Sequence, residues 1–409
     1  MTKIAPFRAV RPAPGLERQV ASRPYDVLNS QEARTEAGGN PNSFLRVTKS
    51  EIDLPDDVHL YSQLVYAKAR ENLDRFLERG VLLREEKPAY YIYRLVMDGR
   101  SQTGLVCASS VDDYEQGIIK KHEFTRPEKE KDRITHIATT GAQTGNVFLA
   151  YRNEPAIDGI VSEWTAAHSP LYDFIADDGI HHTVWRVDES AKVQAITSIF
   201  ADHVPCTYIA DGHHRAASAA KVRASLGDKA GAGADHFLTT LFPASELAIL
   251  DYNRAVRDLN GKTAAQLLQE LATGFSVEKV SAPVKPARLH DFGMYLDGSW
   301  YHLTAKPGTW NEDPIGVLDV TILQEKVLHP LLGVGDPRTD HRIDFIGGIR
   351  GLGELERRVN NGDMAVAFSL HPVTIQQLFD IADSGEVMPP KSTWFEPKLR
   401  DGLLTHLID

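Results

Sequence analysis

The spacing of hydrophobic positions predicts where regular structure begins in this chain. Apolar residues recur at helical spacing from Leu64 to Leu77, and Gly80 follows as a stop signal. We therefore predict a helix within residues 60–80. Residues 1–60 are instead rich in proline, asparagine and other turn formers, so we expect irregular structure with short strands there.

Aromatic and β-branched runs predict a series of strands. Tyr90–Val96 and Gln102–Ala108 flank an Asp98-Gly99 turn, which indicates a hairpin. Further strand-like runs are Asn146–Tyr151, Thr183–Val187, Tyr208–Ala210, Phe237–Phe242, Met294–Leu296 and Met364–Phe368. Helices are expected near residues 190–201, at Ala264–Thr273 and at Val373–Ile381. Because strands and helices interleave throughout, the predicted fold class is α/β or α+β.

The length of 409 residues suggests two or three domains or subdomains. We divide the chain into an N-terminal segment at 1–85, a central domain at 86–230 and a C-terminal α+β domain at 231–409. The glycine- and alanine-rich residues 227–235 are expected to form a flexible loop.

Composition and charge narrow the possible partners. The chain is 42% hydrophobic and 25% charged, with a net charge of -11, which argues against a nucleic-acid-binding protein. No apolar run is long enough to cross a bilayer, and the first residues lack the apolar stretch of a signal peptide. Cys107 and Cys206 are the only cysteines, so a disulfide framework is not expected. We expect a cytoplasmic protein that binds neither nucleic acid nor membranes; its oligomeric state stays open, a homodimer being one alternative.

The segment from Tyr208 to Ala220 carries the strongest chemical signal. It predicts a short buried strand, a glycine turn and an alanine-rich helix, with Asp211, Gly212, His213, His214 and Arg215 at the turn. A helix N-terminus exposes unpaired N–H groups and partial positive charge, so an arginine and two histidines there favour a phosphate site. Asp211 is a candidate to hold magnesium or to orient a histidine. The alternative is a helix cap without a ligand.

Three weaker clusters are also candidates. His122 and Glu123 precede Arg133, and this charged run is either a solvated helix start or a site in which Glu123 is a general base and Arg133 binds an anion. Residues 336–348, which include Arg342, either line a pocket or form a surface loop with internal salt bridges. Residues 388–395, which include Lys391, either reach a ligand phosphate or form a proline-braced structural loop. The two histidines at residues 181–182 are better interpreted as structural residues in the core or at a sheet edge than as functional residues.

Missing motifs exclude several enzyme classes. The sequence contains no G-x-x-x-x-G-K-[ST] element, so a P-loop kinase is not expected. It also lacks the H-R-D and D-F-G elements of protein kinases and the G-x-S-x-G element of serine hydrolases.

Taken together, the motifs resemble the bacterial and archaeal domain-of-unknown-function family 1015. The resemblance runs nearly end to end. Its pieces are Ile4–Arg11, Pro24–Val27, Asn40-Pro41 with Phe44, Lys121–Glu123 with Thr125, Asp132-Arg133, Asp211–Arg215, Asn253-Arg254 with Asp258-Leu259, and Pro389–Thr393.

That family is similar in turn to proteins with the ParB/sulfiredoxin-like fold, and most closely to the free-serine kinases. The resemblance implies a ParB/sulfiredoxin-like nucleotide-binding core at 86–230, elaborated by the flanking segments. It implies that Glu123, with His122, is the base on a substrate hydroxyl. It also implies that Asp211, Gly212, His213, His214 and Arg215 hold phosphate and Mg²⁺. Sulfiredoxin chemistry does not fit, because His213 stands where that enzyme needs a cysteine.

The function implied is a small-molecule kinase that transfers a phosphoryl group from ADP or ATP to a small hydroxyl metabolite such as free serine. Arg133, Arg342 and Lys391 are candidates to bind the substrate. Two alternatives stay open: a regulatory protein that binds or hydrolyses a nucleotide, and an enzyme that acts on a phosphorylated metabolite without a nucleotide.

Overall fold

The computed structural model describes residues 1–409, except for the side chain of residue 228. The strands in chain order are β1 (Ile4–Ala5), β2 (Val10–Pro12), β3 (Leu82–Arg84), β4 (Tyr90–Met97), β5 (Arg100–Ser110), β6 (Ile119–Lys120), β7 (Ala142–Gln143), β8 (Val147–Tyr151), β9 (Tyr172–Ile175), β10 (His181–Val187), β11 (Thr207–Asp211), β12 (His236–Pro243), β13 (Ile249–Leu250), β14 (Tyr252–Val256), β15 (Phe275–Val280), β16 (Asp291–Leu296), β17 (Ser299–Ala305), β18 (Ile343–Gly347), β19 (Val366–Leu370), β20 (Trp394–Phe395) and β21 (His406–Leu407). The α-helices are α1 (Glu17–Val20), α2 (Ser30–Glu36), α3 (Leu45–Thr48), α4 (Gln63–Glu78), α5 (Val111–Glu115), α6 (Pro127–Thr140), α7 (Pro155–Ala167), α8 (Ser190–His203), α9 (His213–Leu226), α10 (Ala264–Leu271), α11 (Asp319–Leu323), α12 (Leu352–Asn360) and α13 (Ile375–Ser384).

The chain forms two compact units whose limits differ from the predicted domains. The first unit comprises Met1–Leu247 and Pro397–Asp409, and the second comprises Ala248–Glu396. The predicted boundary at residue 230 differs because β12 lies between β5 and β8 in the sheet of the first unit. The C-terminal segment belongs to the first unit because β21 pairs with β7.

A mixed sheet forms the centre of the first unit. Its order is β6-β11-β8-β12-β5-β4-β10-β9, with β1 added beside β5. Most neighbours are antiparallel, but β11 is parallel to β6 and β12 is parallel to β8. The predicted hairpin is confirmed as β4 and β5, and its turn uses positive φ angles at Asp98 and Gly99, as a tight hairpin turn requires.

Small side chains bring α9 close to this sheet. Ala216, Ala217, Ala219 and Ala220 are buried in the same core cluster as Leu149 of β8 and Ile209 of β11. Since alanine adds little bulk and favours a helix, the alanine-rich run both forms α9 and lets it approach the strands closely. The predicted mixed α/β class is confirmed by this arrangement.

The second unit is built on an antiparallel sheet. Its six strands have the order β15-β17-β16-β19-β14-β18, and β13 pairs separately with β20. Capping boxes begin α10 at Thr263 and α13 at Thr374, because each threonine accepts from a backbone N–H three residues later while a glutamine reciprocates.

Residues 227–235 are more ordered than their composition predicts. They form two short 3₁₀ helices, Gly227–Lys229 and Ala232–Asp235. A Cβ at Gly231 would lie 2.6 Å from the backbone of Asp409, and one at Gly233 would lie 2.5 Å from the carbonyl oxygen of Leu407. These two glycines permit a close approach of the C-terminal segment, which a pattern of flexible-loop residues does not reveal.

No helix within the described residues is both long enough and apolar enough to span a membrane.

Candidate functional site

Two adjacent parallel strands place the main candidate residues at one edge of the sheet. β6 pairs with β11 in the register Ile119 to Thr207 and Lys120 to Tyr208. Because parallel strands end at the same edge, the segment that carries His122 and Glu123 emerges beside the turn that follows Asp211. The structure therefore brings together the two motifs, which are separated by about ninety residues in sequence.

The turn after β11 is shaped by an irregular strand end and a glycine. The pairing of β11 with β8 shifts register between Ile209 and Asp211, and such a bulge redirects the side chains that follow it. Gly212 has a φ of +100° and immediately precedes α9. A Cβ at Gly212 would lie 3.1 Å from Nε of Arg215 and 3.4 Å from Cα of Val147. Glycine is required here by both backbone conformation and space.

Asp211 is paired with two cations. Its Oδ2 lies 3.2 Å from Nζ of Lys398 and 3.5 Å from Nη2 of Arg215. Burial alone would raise the pKa of the Asp211 carboxyl, but Lys398 and Arg215 outweigh burial and hold that pKa well below its usual range. Asp211 is therefore ionised, and it holds the two cations Lys398 and Arg215 near the start of α9.

Arg215 is held from several sides. Its Nη1 donates to the carbonyl oxygen of Asn146, and its Nη2 lies 3.4 Å from Oδ2 of Asp26. Burial alone would lower the pKa of the guanidinium, but Asp26 and Asp211 raise it. Nε is buried without a hydrogen-bond acceptor and faces Gly212. The turn thus contains a buried cationic donor that is not satisfied by the protein.

The two histidines of the turn engage the backbone of the segment that carries Glu123. The N–H of His122 lies 3.5 Å from Nε2 of His213, and the N–H of Arg126 donates to Nε2 of His214 over 2.9 Å. We refer to residues 121–126 as the Glu123 loop and to these two contacts as the histidine clamp. Through the clamp, α9 fixes the position of this loop at both ends.

Glu123 faces His213. Burial and the neighbouring His122 hold the pKa of His213 well below its ordinary value, so the ring is neutral at neutral pH. Because a backbone N–H points at Nε2, we assign the ring proton to Nδ1, which lies 3.7 Å from Oε2 of Glu123. Glu123 is about half exposed, as a base that must reach a substrate requires.

His122 is a buried neighbour of this pair. Its ring packs edge-on against that of His213 with centroids 4.6 Å apart. Burial lowers the pKa of His122 to about 4, so it is neutral at pH 7. Its Nδ1 is buried and has no hydrogen-bond partner, which makes it a second unsatisfied polar atom at the site.

Arg133 lies close to Arg215, since both residues line one pocket together with Tyr25, Thr144, Gly145 and Val147. The guanidinium of Arg133 stacks on the ring of Tyr25 at 3.9 Å and pairs with Asp132 at 2.7 Å. Its position beside the turn is compatible with the predicted substrate role.

The other two predicted substrate residues lie in the second unit. Arg338 pairs with Asp336 inside residues 336–348, and Arg342 pairs bidentately with Asp258 outside that segment. Lys391 is exposed, with its Nζ 5.7 Å from the ring centre of Tyr252. Neither contact points to a ligand, and the substrate roles of Arg342 and Lys391 stay predictions.

The described side chains do not by themselves form a complete magnesium site, and the metal role of Asp211 stays a prediction. Mg²⁺ binds through one or two carboxylates completed by water and phosphate. The carboxylate of Asp211 is already taken by two cations, and among the described residues no three His, Cys, Asp or Glu side chains are grouped to hold a metal. We therefore derive no step through an ion held by the protein.

Sequence reasoning missed two charged residues of this site. Lys398 is 187 positions from Asp211, and no motif signals that it reaches that residue. Asp401 is buried beside Arg215, and burial raises the pKa of its carboxyl to about 8, against the opposing effect of Arg215. Both residues arrive through the return of the C-terminal segment to the first unit, which sequence periodicity does not encode.

The fold and the site define a mixed α/β protein with a polar, cation-rich turn at the start of a helix. The chain belongs to the family described as "Protein of unknown function (DUF1015)", whose model matches residues 4–321. No curated protein matches the chain.

Several solved structures show a distant likeness. A free serine kinase variant in complex with AMP is 14% identical with a TM-score of 0.36, covering 74% of this chain and 91% of that one. A conserved hypothetical protein from Pyrococcus furiosus has the same identity and TM-score, with coverage of 74% and 95%. SbnI with a C-terminal truncation, from Staphylococcus aureus, is 12% identical with a TM-score of 0.37, covering 74% and 87%. At these scores the likeness assigns no function to the chain.

Proposed function

We propose that the protein is a phosphotransferase that moves a phosphoryl group from ADP or ATP to the hydroxyl group of a small metabolite, with free serine as the first candidate acceptor. The observation that carries the proposal is the position of Glu123. An accessible carboxylate lies 3.7 Å from His213 at the start of α9, where Arg215 extends from the same helix and Lys398, from the C-terminal segment, contacts Asp211. A base and an anion site are thereby adjacent.

Each group has a role in this reaction. The N–H groups at the start of α9 and the cations Arg215 and Lys398 bind the donor phosphates and offset their charge. Glu123 accepts the proton of the acceptor hydroxyl as its oxygen forms a bond to phosphorus. The bond between that phosphorus and the bridging oxygen breaks, and the shortened nucleotide leaves with the bonding electrons.

The histidine clamp links the proposed base to the proposed phosphate site. His213 and His214 are the first two residues of α9, and both contact the Glu123 loop. A displacement of about 1 Å between base and phosphate is costly in phosphoryl transfer, because catalysis depends on positioning. The clamp fixes that distance before substrate arrives.

The direct experiment incubates the protein with ADP or ATP, magnesium and a panel of hydroxyl compounds that includes serine, and follows phosphorus by NMR. We expect a phosphorylated acceptor and an equal amount of shortened nucleotide. If nucleotide binds and no acceptor in a broad panel is phosphorylated, the regulatory alternative replaces the kinase. If no nucleotide binds or shifts the melting temperature, the enzyme that uses a phosphorylated metabolite is the better account.

A further inference from the structure

Lys398, in the C-terminal segment, lies at the candidate site. Lys398 belongs to the first unit and lies close to residues that anchor its chain: Asp401 and Ser22 exchange two backbone hydrogen bonds of 2.9 and 3.0 Å. The side chain of Lys398 is 19% exposed, and its ammonium contacts Asp211 at 3.2 Å. The backbone is fixed while the end of the side chain stays within reach of solvent.

The two cations on Asp211 differ in their freedom to move. Arg215 is buried and contacts Asn146 and Asp26 in addition to Asp211, so its guanidinium is fixed. Lysine carries a point charge on a flexible four-carbon chain with three rotatable donors. Lys398 is therefore the cation better able to change partners when a ligand enters.

A second observation indicates that an anion belongs here. Arg215 is more than nine-tenths buried, and its Nε has no acceptor although it faces the glycine turn. A buried guanidinium N–H without an acceptor is costly, and a ligand oxygen would satisfy it. An arriving phosphate competes with the Asp211 carboxylate for these cations, so it binds most tightly when one cation turns toward the phosphate.

We propose that Lys398 is a phosphate-binding residue that exchanges Asp211 for the terminal phosphate of the bound nucleotide. This inference rests on the proposed nucleotide role of the α9 N-terminus, and it adds that recognition depends on the number of phosphate groups. Without ligand, Lys398 and Arg215 neutralise Asp211. With ligand, Lys398 bonds to the phosphate and Arg215 alone remains with the aspartate.

The test measures affinity by calorimetry for ADP, AMP and adenosine in the full-length protein. We expect Lys398→Met to weaken ADP binding about tenfold, as for loss of a charged hydrogen bond, to weaken AMP less and to leave adenosine unchanged. Lys398→Arg should keep most of the ADP affinity. Lys192→Met is the matched control, because Lys192 makes a comparable ion pair with Glu163 on the neighbouring helix α7. Equal ADP affinity in folded Lys398→Met and wild-type protein would overturn the inference.

A second variant decides the case in which Lys398→Met does not fold. Asp211→Asn removes the competing carboxylate, so we expect tighter ADP binding; unchanged or weaker binding would contradict the exchange and favour a metal role for Asp211. The two proposals fail separately. If Lys398→Met loses affinity for ADP or pyrophosphate and the wild type transfers no phosphoryl group, the phosphate role of Lys398 is supported and the kinase function is refuted. If the wild type binds neither ADP nor pyrophosphate, both the kinase function and the phosphate role of Lys398 are refuted.

Discussion

Single residues at the turn combine backbone and charge requirements. Gly212 adopts the positive φ that the turn requires. Asp211 pairs with two cations, and Arg215 places a positive charge in a buried position. The motif that contains all three is visible in the sequence because its members are consecutive. Lys398 and Asp401 were not predicted, because only the folded chain brings them to the same place.

Gly212→Ala tests whether glycine is required at the start of α9. The substitution forces a side chain into a left-handed backbone and against Arg215, so we expect a loss of about 1–3 kcal/mol in the free energy of unfolding and weaker nucleotide binding. Gly159→Ala is the control, because Gly159 lies exposed inside helix α7 with nothing near its Cβ position. That variant should gain up to about 1 kcal/mol. Denaturant titration measures both, and equal effects would refute the strain argument.

At the scale of elements, periodicity predicted several of the helices and strands and missed others, among them the 13-residue helix α7. The helix at 60–80, the hairpin and the strand–turn–helix at 208–220 are all present, because each carries a full local pattern. Helix α2 was missed, although its capping box of Asn29 and Glu32 is a readable signal. The pairing of β6 with β11 could not be predicted from a two-residue strand, yet it is what brings Glu123 to the turn.

His214→Ala tests the histidine clamp. Removing Nε2 leaves the N–H of Arg126 without its acceptor, so we expect faster hydrogen exchange in the Glu123 loop and a kcat at least about tenfold lower. Nucleotide affinity should change little. His203→Ala, at the exposed end of α8, is the control. A large loss of affinity with kcat unchanged would instead make His214 a phosphate ligand, as the family resemblance implies.

At the scale of the whole molecule, the first unit contains most of the buried titratable groups. Burial lowers the pKa of His122, His136 and His406 to about 4 and that of His182 to about 3. In the second unit, burial instead raises the pKa of Asp319 to about 7. The division of the chain into these units was not readable from composition, because no linker-like segment marks the boundaries.

We predict that acid unfolds the first unit before the second. Unfolded histidines gain protons below about pH 6.5, whereas the four histidines named above do so only near pH 3–4 in the folded protein. The free energy of unfolding therefore falls across this window by roughly 3 kcal/mol for each of these four. Asp401 opposes this loss, since its raised pKa adds stability as pH falls from about 8 to 4, but one carboxyl does not offset four histidines. Asp319 acts in the same stabilising direction in the second unit.

Hydrogen exchange with mass spectrometry between pH 7 and 4 shows which unit loses stability first. Peptides of β4, β10 and α6 should lose protection before those of β16 and β19. Loss of protection first in the second unit, or no change in either unit above pH 4, would contradict the account.

The central claim is that Glu123 is the base of a phosphoryl transfer, and its most direct test is the single-turnover rate of Glu123→Gln with bound nucleotide. Glutamine keeps the size of the side chain but cannot accept the proton at neutral pH. We predict a rate at least about a hundredfold lower, with nucleotide affinity within about twofold of the wild type. Glu128→Gln, on the exposed first turn of α6, is the control and should keep the full rate. A wild-type rate in Glu123→Gln would contradict the assignment.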